Sequence, residues 1–317
     1  MKKSIFYLFT FCIVSFCITG CKVKQDSSFS PAEIVIKSFP KFLNEAHRGA
    51  SGLKPENTIV AMTKAIEEGA NVIELDVHIS KDKKVVVTHD PRINRSISLL
   101  PNGEELEEGN TEEYAIYQMN YADIRKYDVG SKFYSRNGQK STKAHIPLLS
   151  ELIDSVEQFA AENKYPKVIY NIEIKATPEK DGIYQPAPPE FIDLIMEVIR
   201  EKDLGNDRYY LQSFDFRLLQ QIKKDYPQVI TAFLTGNKEN SLEENINKLG
   251  FTPQIYSPNF NLVKPDLIEK SHKAGMKLVP WTVNSEADMT RLIDLGVDGI
   301  ITDYPNRLNQ LIQHSSK

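Results

Sequence analysis

Residues 72–77 read Val72-Ile73-Glu74-Leu75-Asp76-Val77. Apolar side chains flank the acids on both sides, the pattern of a strand buried in a parallel sheet. In a strand, residues two apart project from the same face, so Glu74 and Asp76 point one way while Ile73 and Leu75 point the other. Two ionised carboxylates at that spacing repel, and neither belongs in an apolar interior without a positive partner. A surface strand with two solvated acids is the competing reading, and the apolar flanks argue against it.

The pattern outside this strand is regular. A helical stretch over 57–69 precedes it, with Asn57 or Thr58 as cap and Gly69 after its end. From residue 41 onward, short apolar runs alternate with longer amphipathic ones, as in strand–helix units around a parallel sheet. Strands are expected at 42–46, 71–77, 84–88, 168–174, 208–212, 229–234, 254–257, 276–281 and 298–301. Helices are expected at 148–163, 189–202, 215–225, 265–274 and 285–295. About eight strands interleaved with helices over about 275 residues favour a closed (β/α)8 barrel of the TIM type. An open doubly wound sheet is second, and no Gly-rich strand-to-helix turn of the dinucleotide type supports it.

Two places break the rhythm. Only a tight charged turn, Lys81-Asp82-Lys83-Lys84, separates the runs 71–79 and 84–88. A parallel crossover needs a dozen or more residues, so one of these runs must turn back or leave the barrel. The second break is 91–146, polar and Tyr-rich, directly after His89 and too long for a simple loop. It reads as an insertion after the third strand that covers a barrel mouth. In it, Glu104, Glu105, Glu107 and Glu108 read as a solvated face. Tyr114, Tyr117 and Tyr121 have helical spacing and read as the insertion's small core.

The strand chemistry recurs at Asn171-Ile172-Glu173-Ile174-Lys175, where Glu173 and Lys175 share a face. A simple ion pair explains this segment alone. Three carboxylates on two buried strands make a sharper pattern, since oxygen ligands without sulfur suit a hard divalent cation, Mg²⁺ or Ca²⁺. Lys175 and Arg48 are then left free for a negative ligand. His47 follows the run 42–46 and His89 follows Val85-Val86-Val87-Thr88, each at the C-terminal end of a strand, where barrel enzymes place catalytic groups. Such a pair can supply a general base and a general acid. His78, His145, His272 and His314 have no comparable context and receive no role.

His47-Arg48-Gly49-Ala50-Ser51-Gly52-Leu53-Lys54-Pro55-Glu56-Asn57-Thr58 resembles the opening signature of the glycerophosphodiester phosphodiesterase family. So do Glu74-Leu75-Asp76-Val77, the run from Val85 to Asp90, Glu173-Ile174-Lys175, Gln212-Ser213-Phe214, Trp281-Thr282-Val283-Asn284 and the run from Asp298 to Pro305. The resemblance spans about 41–310. It implies a barrel with an insertion after the second histidine, and metal-dependent hydrolysis of glycerophosphodiesters to glycerol 3-phosphate and an alcohol. It also implies Glu74, Asp76 and Glu173 as metal ligands, His47 and His89 as the acid–base pair, and Arg48 and Lys175 near the phosphate. Glu56 falls near the metal and Trp281 against the glycerol moiety. With substrate bound and no metal, such a site carries two net negative charges, and one divalent cation cancels them. Residues 91–146 align with no particular member and are expected to shape the headgroup side. A related barrel phosphodiesterase releasing a cyclic phosphate is the alternative, which the Pro-Glu-Asn-Thr and Trp-Thr-Val-Asn segments disfavour.

The N-terminus reads as an address. Lys2 and Lys3 precede a largely apolar run from Ile5 to Ile18 that is short for a membrane span and has the layout of a secretory signal. Ile18-Thr19-Gly20-Cys21 resembles a bacterial lipobox, which implies a signal peptide over 1–20, lipidation of Cys21 and a membrane-anchored exported lipoprotein. Residues 21–40 are then the lipidated cysteine and a polar tether, and 41–317 a single catalytic domain. The three cysteines, Cys12, Cys17 and Cys21, all lie in this segment, so the domain has no thiol nucleophile, disulfide or zinc–sulfur site. Across 317 residues, 41% hydrophobic and 26% charged, the composition is globular. The formal charge of −4 argues against a nucleic-acid partner, which leaves a basic footprint.

Overall fold

The computed structural model describes residues 31–107, 113–132 and 142–315. The signal segment and Cys21 lie outside the described residues, as do Glu108 and part of the insertion. Strands are β1 (Leu43–Ala46), β2 (Val72–Ile79), β3 (Val85–Val87), β4 (Ile169–Ile174), β5 (Tyr209–Ser213), β6 (Thr231–Thr235), β7 (Ile255–Pro258), β8 (Lys277–Leu278) and β9 (Gly299–Thr302). Helices are α1 (Pro31–Ile36), α2 (Ile59–Glu67), α3 (Tyr121–Ile124), α4 (Leu149–Asn163), α5 (Pro188–Glu201), α6 (Phe216–Asp225), α7 (Leu242–Leu249), α8 (Pro265–Lys273), α9 (Glu286–Leu295) and α10 (Pro305–Ser315).

Eight strands pair in parallel in the order β8-β7-β6-β5-β4-β2-β1-β9. The ends of this order meet through backbone bonds: Asp298 N–H donates to Leu278 at 2.9 Å, Ile301 to Pro280 at 3.0 Å and Val283 to Ile301 at 3.0 Å. The sheet is therefore a barrel, and the open-sheet alternative fails. The run expected over 276–281 goes on bonding to β7 beyond the two-residue β8, Val279 N–H to the Tyr256 carbonyl and Trp281 N–H to the Pro258 carbonyl, while Pro280, lacking an N–H, offers only its carbonyl on the β9 side. Outward-facing Ile73, Leu75, Val77, Ile172 and Ile174 pack against the helical ring, and inward-facing residues fill the interior.

β3 resolves the first break in the rhythm. It pairs antiparallel with β2, Val77 opposite Val87 and Ile79 opposite Val85, and stands outside the ring. The chain is thereby returned toward the C-terminal ends of the strands before the insertion begins. Val87 N–H bonds to Pro147 O at 2.9 Å and Val86 bridges Leu148, so the insertion leaves and rejoins the sheet at one place. Ile93, Ile116, Ile124, Tyr127 and Ile146 form its core, with Tyr114 and Tyr121 packed alongside. Tyr117 departs from expectation: it leans on the main core, with Lys83 Nζ 3.2 Å from its hydroxyl. No single helix carries the three tyrosines, because Lys81 N–H takes the Met119 carbonyl at 2.9 Å and splits the stretch into a 3₁₀ turn, Ile116–Gln118, and α3.

Three helices, α1, α7 and α10, went unread in the sequence. α7 has a capping box, with the Ser241 hydroxyl accepting from Glu244 N–H and the Glu244 carboxylate accepting from Ser241 N–H. α10 begins at Pro305 in the last motif. The stretch read as tether also differs. Ala32 and Phe39 are buried, and together with Val35 and Ile36 they pack on Leu43, Val72, Ile169, Tyr210 and Ile255 at the N-terminal ends of the strands. α1 and Phe39 thus close the base of the barrel. The Phe39 ring sits 6.0 Å from that of Tyr210. Phe39→Ala is expected to destabilise the protein by about 3–5 kcal/mol in denaturant titration, whereas a change within about 0.5 kcal/mol would mean that this segment is only a tether.

Candidate active site

The inward-facing residues of β2 and β4 build the centre of the site. Asp76 pairs in register with Glu173, and Glu74 lies two residues below Asp76 on the same face. One oxygen from each of Glu74, Asp76 and Glu173 lies within 4.8 Å of the others, and all three residues are buried. At that separation and an effective dielectric of ~20, each ionised pair repels by roughly 3–4 kcal/mol. The chain answers with cations and protons. Lys175 Nζ sits 2.6 Å from Glu173 Oε1 and 3.1 Å from Asp76 Oδ1, and Arg48 Nε is 3.4 Å from Asp76 Oδ2.

Burial works to raise the Asp76 pKa, but Lys175 and Arg48 outweigh it and hold the carboxyl well below the usual range. Burial dominates at the other two acids, with repulsion from Asp76 adding to it. Glu74 is pushed well up, and Glu173 up to about 7 despite Lys175. The cations are therefore engaged, contrary to the expectation that Arg48 and Lys175 stand free for a negative ligand. Glu56 takes Arg48 Nη1 at 2.8 Å, so it reaches the centre through the guanidinium.

The turn after β1 delivers the first histidine and depends on unusual backbone. Arg48 has φ +49° and Gly49 φ +76°, both left-handed. A Cβ on Gly49 would lie 2.6 Å from the Ala61 backbone, so only glycine fits there. This turn aims Arg48 N–H at Glu74 Oε2, 2.7 Å away. Gln212 Nε2 donates to the other Glu74 oxygen at 3.2 Å. Asn57, also left-handed at φ +56°, grips Asp76 twice: its Nδ2 donates to Oδ2 at 2.8 Å and its Oδ1 accepts from the Asp76 N–H at 3.2 Å.

Each histidine is held at Nδ1 by an aspartate. His47 Nδ1 is 2.6 Å from Asp303 Oδ1, and Asp303 also accepts from Ser51 and Asn284. Burial opposes ionisation of Asp303, but the His47 bond prevails and keeps it well below the usual range. As an acceptor-only group it fixes the proton on Nδ1 and leaves Nε2 of His47 as the acceptor. Burial lowers the His47 pKa, so the ring is neutral near pH 7. His89 Nδ1 meets Asp90 Oδ1 at 2.8 Å, a bond that holds Asp90 below its ordinary value.

Several of these partners carried no role in the sequence reading. Asp303 and Gln212 lie inside quoted motifs, and that was their only signal; Asn57 reads as a candidate helix cap and not as a partner of Asp76. His78, set aside earlier, is buried on the Glu74–Asp76 face with Nε2 3.0 Å from the His89 carbonyl, so it steadies the second histidine. His145 and His272 pair with Glu151 and Asp298, outside this site.

A cavity of 220 Å³ opens over the carboxylates, lined by His47, Arg48, His89, Lys175 and Trp281 among others. The indole N–H of Trp281 is tied to the Ser257 carbonyl at 2.8 Å, and Phe214 meets its ring edge-on, centroids 5.4 Å apart. The donor set fits a hard divalent cation: three buried, converging carboxylates and no sulfur, with Asp76 Oδ1 and Glu173 Oε1 both facing the Lys175 ammonium, a positive charge whose place a cation can take.

Comparisons with known proteins agree with this geometry. The glycerophosphoryl diester phosphodiesterase family matches residues 47–307. A glycerophosphodiester phosphodiesterase of Caldanaerobacter subterraneus subsp. tengcongensis is 35% identical, over 86% of this chain and 98% of its own length. One from Bacillus altitudinis is 30% identical, over 83% and 94%. A crystal structure from Silicibacter pomeroyi superposes with a TM-score of 0.78 at 27% identity, covering 90% of this chain and 98% of that one. With the barrel, the buried acids and the match running from His47 to Arg307, the chain belongs to the glycerophosphoryl diester phosphodiesterase family.

Proposed function

We propose that this chain hydrolyses glycerophosphodiesters to glycerol 3-phosphate and an alcohol, with Glu74, Asp76 and Glu173 holding one divalent cation, Ca²⁺ or Mg²⁺. The observation that carries the reading is the convergence of those carboxylates beneath one cavity that both His47 and His89 line. A cation bound there supplies Lewis-acid polarisation of a phosphoryl oxygen. Arg48 and Lys175 line the same cavity, and ionised carboxylates committed to a cation release both for the phosphate. His47, neutral and with Nε2 as acceptor, takes the proton of the attacking oxygen, either a water or the neighbouring glycerol hydroxyl; in the second case a water then opens the cyclic ester to glycerol 3-phosphate. His89, on the wider side of the site, gives a proton to the departing alcohol. Trp281 walls the side where the glycerol half fits.

His47→Ala and His89→Ala are each expected to lower turnover by about 10²–10⁴-fold with the fold intact by circular dichroism. Turnover within a few fold of the parent would remove that histidine from the chemistry. Phosphorus NMR is expected to show glycerol 3-phosphate, and a cyclic ester as final product would favour the alternative reaction.

The metal reading has a pH signature. In the metal-free chain the Glu173 pKa is raised to about 7, so the folded state favours its proton. The stabilisation linked to that proton is full below the ordinary carboxylate range and is lost as pH rises through about 7. A cation needs the ionised form. Added Ca²⁺ or Mg²⁺ is therefore expected to raise Tm more at about pH 8 than at about pH 6, and to restore activity abolished by a chelator. Undiminished activity after exhaustive chelation would defeat the metal assignment.

We also propose an exported bacterial lipoprotein, anchored to a membrane through Cys21. Support comes from the charged start, the apolar run and the lipobox-like Ile18-Thr19-Gly20-Cys21. Cys21→Ser is expected to abolish fatty-acid labelling and shift the protein out of the membrane fraction, and labelling that persists would discard the anchor.

A further inference from the structure

A second cavity of 430 Å³ adjoins the first and shares His89, Glu173, Lys175 and Phe214 with it. The smaller cavity, beside Trp281, is matched in size to a glycerol unit. The larger lies beyond His89, where the departing alcohol emerges. Its outer wall comes from the insertion and from the loop after β4. Here Tyr184, only 8% exposed, has two cations against its ring. The Arg92 guanidinium is 5.1 Å and Lys180 Nζ 5.0 Å from the ring centroid. Neither is paired with a carboxylate among the described residues.

The acids lining this cavity are already committed. Asp90 is bonded to His89 and Asn94, and Glu173 to Lys175. Both cations stand on pinned backbone. Ile93 N–H takes the Tyr114 carbonyl and Ile116 N–H the Pro91 carbonyl, at 2.9 Å each. In the other loop, Gln185 donates to the Thr177 carbonyl at 2.7 Å, and Asp181 is held by Arg217 at 2.6 Å. A quaternary or primary ammonium would need an open aromatic face or an unspent acid. The Tyr184 ring is occupied from within the chain; Phe214, 43% exposed on the shared wall, is the aromatic face that is left, and Arg92, Lys180 and Lys175 surround that space with positive charge that repels a cation.

Resting on the hydrolase reading above, we infer that Arg92 and Lys180 select diesters whose alcohol carries an anionic group, a carboxylate or a further phosphate. Both are thus specificity residues for the departing half of the substrate.

Three synthetic diesters of glycerol 3-phosphate test this: with 3-hydroxypropanoate, propane-1,3-diol and 3-aminopropanol, equal in chain length and differing in charge. For the intact enzyme, kcat/KM is expected to rank anionic over neutral over cationic, with roughly three- to tenfold between neighbours at low ionic strength and a narrower spread in high salt. Ratios within each enzyme cancel any general loss from altered folding. In the Arg92→Gln, Lys180→Gln double variant the order should flatten, and in Arg92→Glu, Lys180→Glu it should invert. Equal turnover of all three by the intact enzyme, or an order unmoved by charge reversal, overturns the selection while the hydrolase reading stands. Hydrolysis of none of them, with metal supplied, overturns both.

Discussion

Mutual repulsion among Glu74, Asp76 and Glu173 is the constraint around which this molecule is arranged. Three buried carboxylates within 4.8 Å of one another cost an amount comparable to the whole net stability of a domain unless charge is cancelled. Most of the neighbouring polar structure addresses that cost. Arg48 and Lys175 supply positive charge, Asn57 and Gln212 supply donors, and the raised pKa values of Glu74 and Glu173 hold protons in reserve. The strained turn at Arg48 and Gly49 follows from the same need, since it is what points a backbone N–H at Glu74. On the proposed reading, a single divalent ion bound here would take over the work of those protons and ammonium contacts.

Beneath this array the barrel interior remains polar for another layer. Glu45 is fully buried and bonded to Asn171, and burial pushes its pKa up to about 7. Below that the interior turns apolar and is closed by α1 and Phe39. The gradient runs from charged at the mouth, through neutralised acids, to hydrocarbon at the base. It fits a fold whose chemistry sits at one end of its strands and whose packing sits at the other.

How much of this was legible in the sequence depended on whether the signal was local. The period of two in Val72–Val77 placed Glu74 and Asp76 on one face without any tertiary information, and the short turn at 81–84 required one run either to turn back or to leave the barrel. Partners such as Asp303, 256 residues from His47, have no local signature and become visible only when β9 pairs with β1. The engagement of Arg48 and Lys175 was missed for a related reason: charge counting treats cations as free until distances are known. α1 escaped notice because six residues between polar neighbours carry too little periodicity to read, and its burial is decided by the open base of the barrel.

The two stems of the insertion join the sheet side by side, Val86 and Val87 on one side and Pro147 and Leu148 on the other, while Met119 and Tyr117 rest on the β2–β3 turn and the main core. Its two stems are therefore neighbours, so the chain enters and leaves the insertion without parting the strands of the eight-stranded ring. Such a segment behaves as an exchangeable cassette. A change of length or charge within it would reshape the wall that Pro91 and Arg92 give the larger cavity while leaving the strand-borne carboxylates where they are.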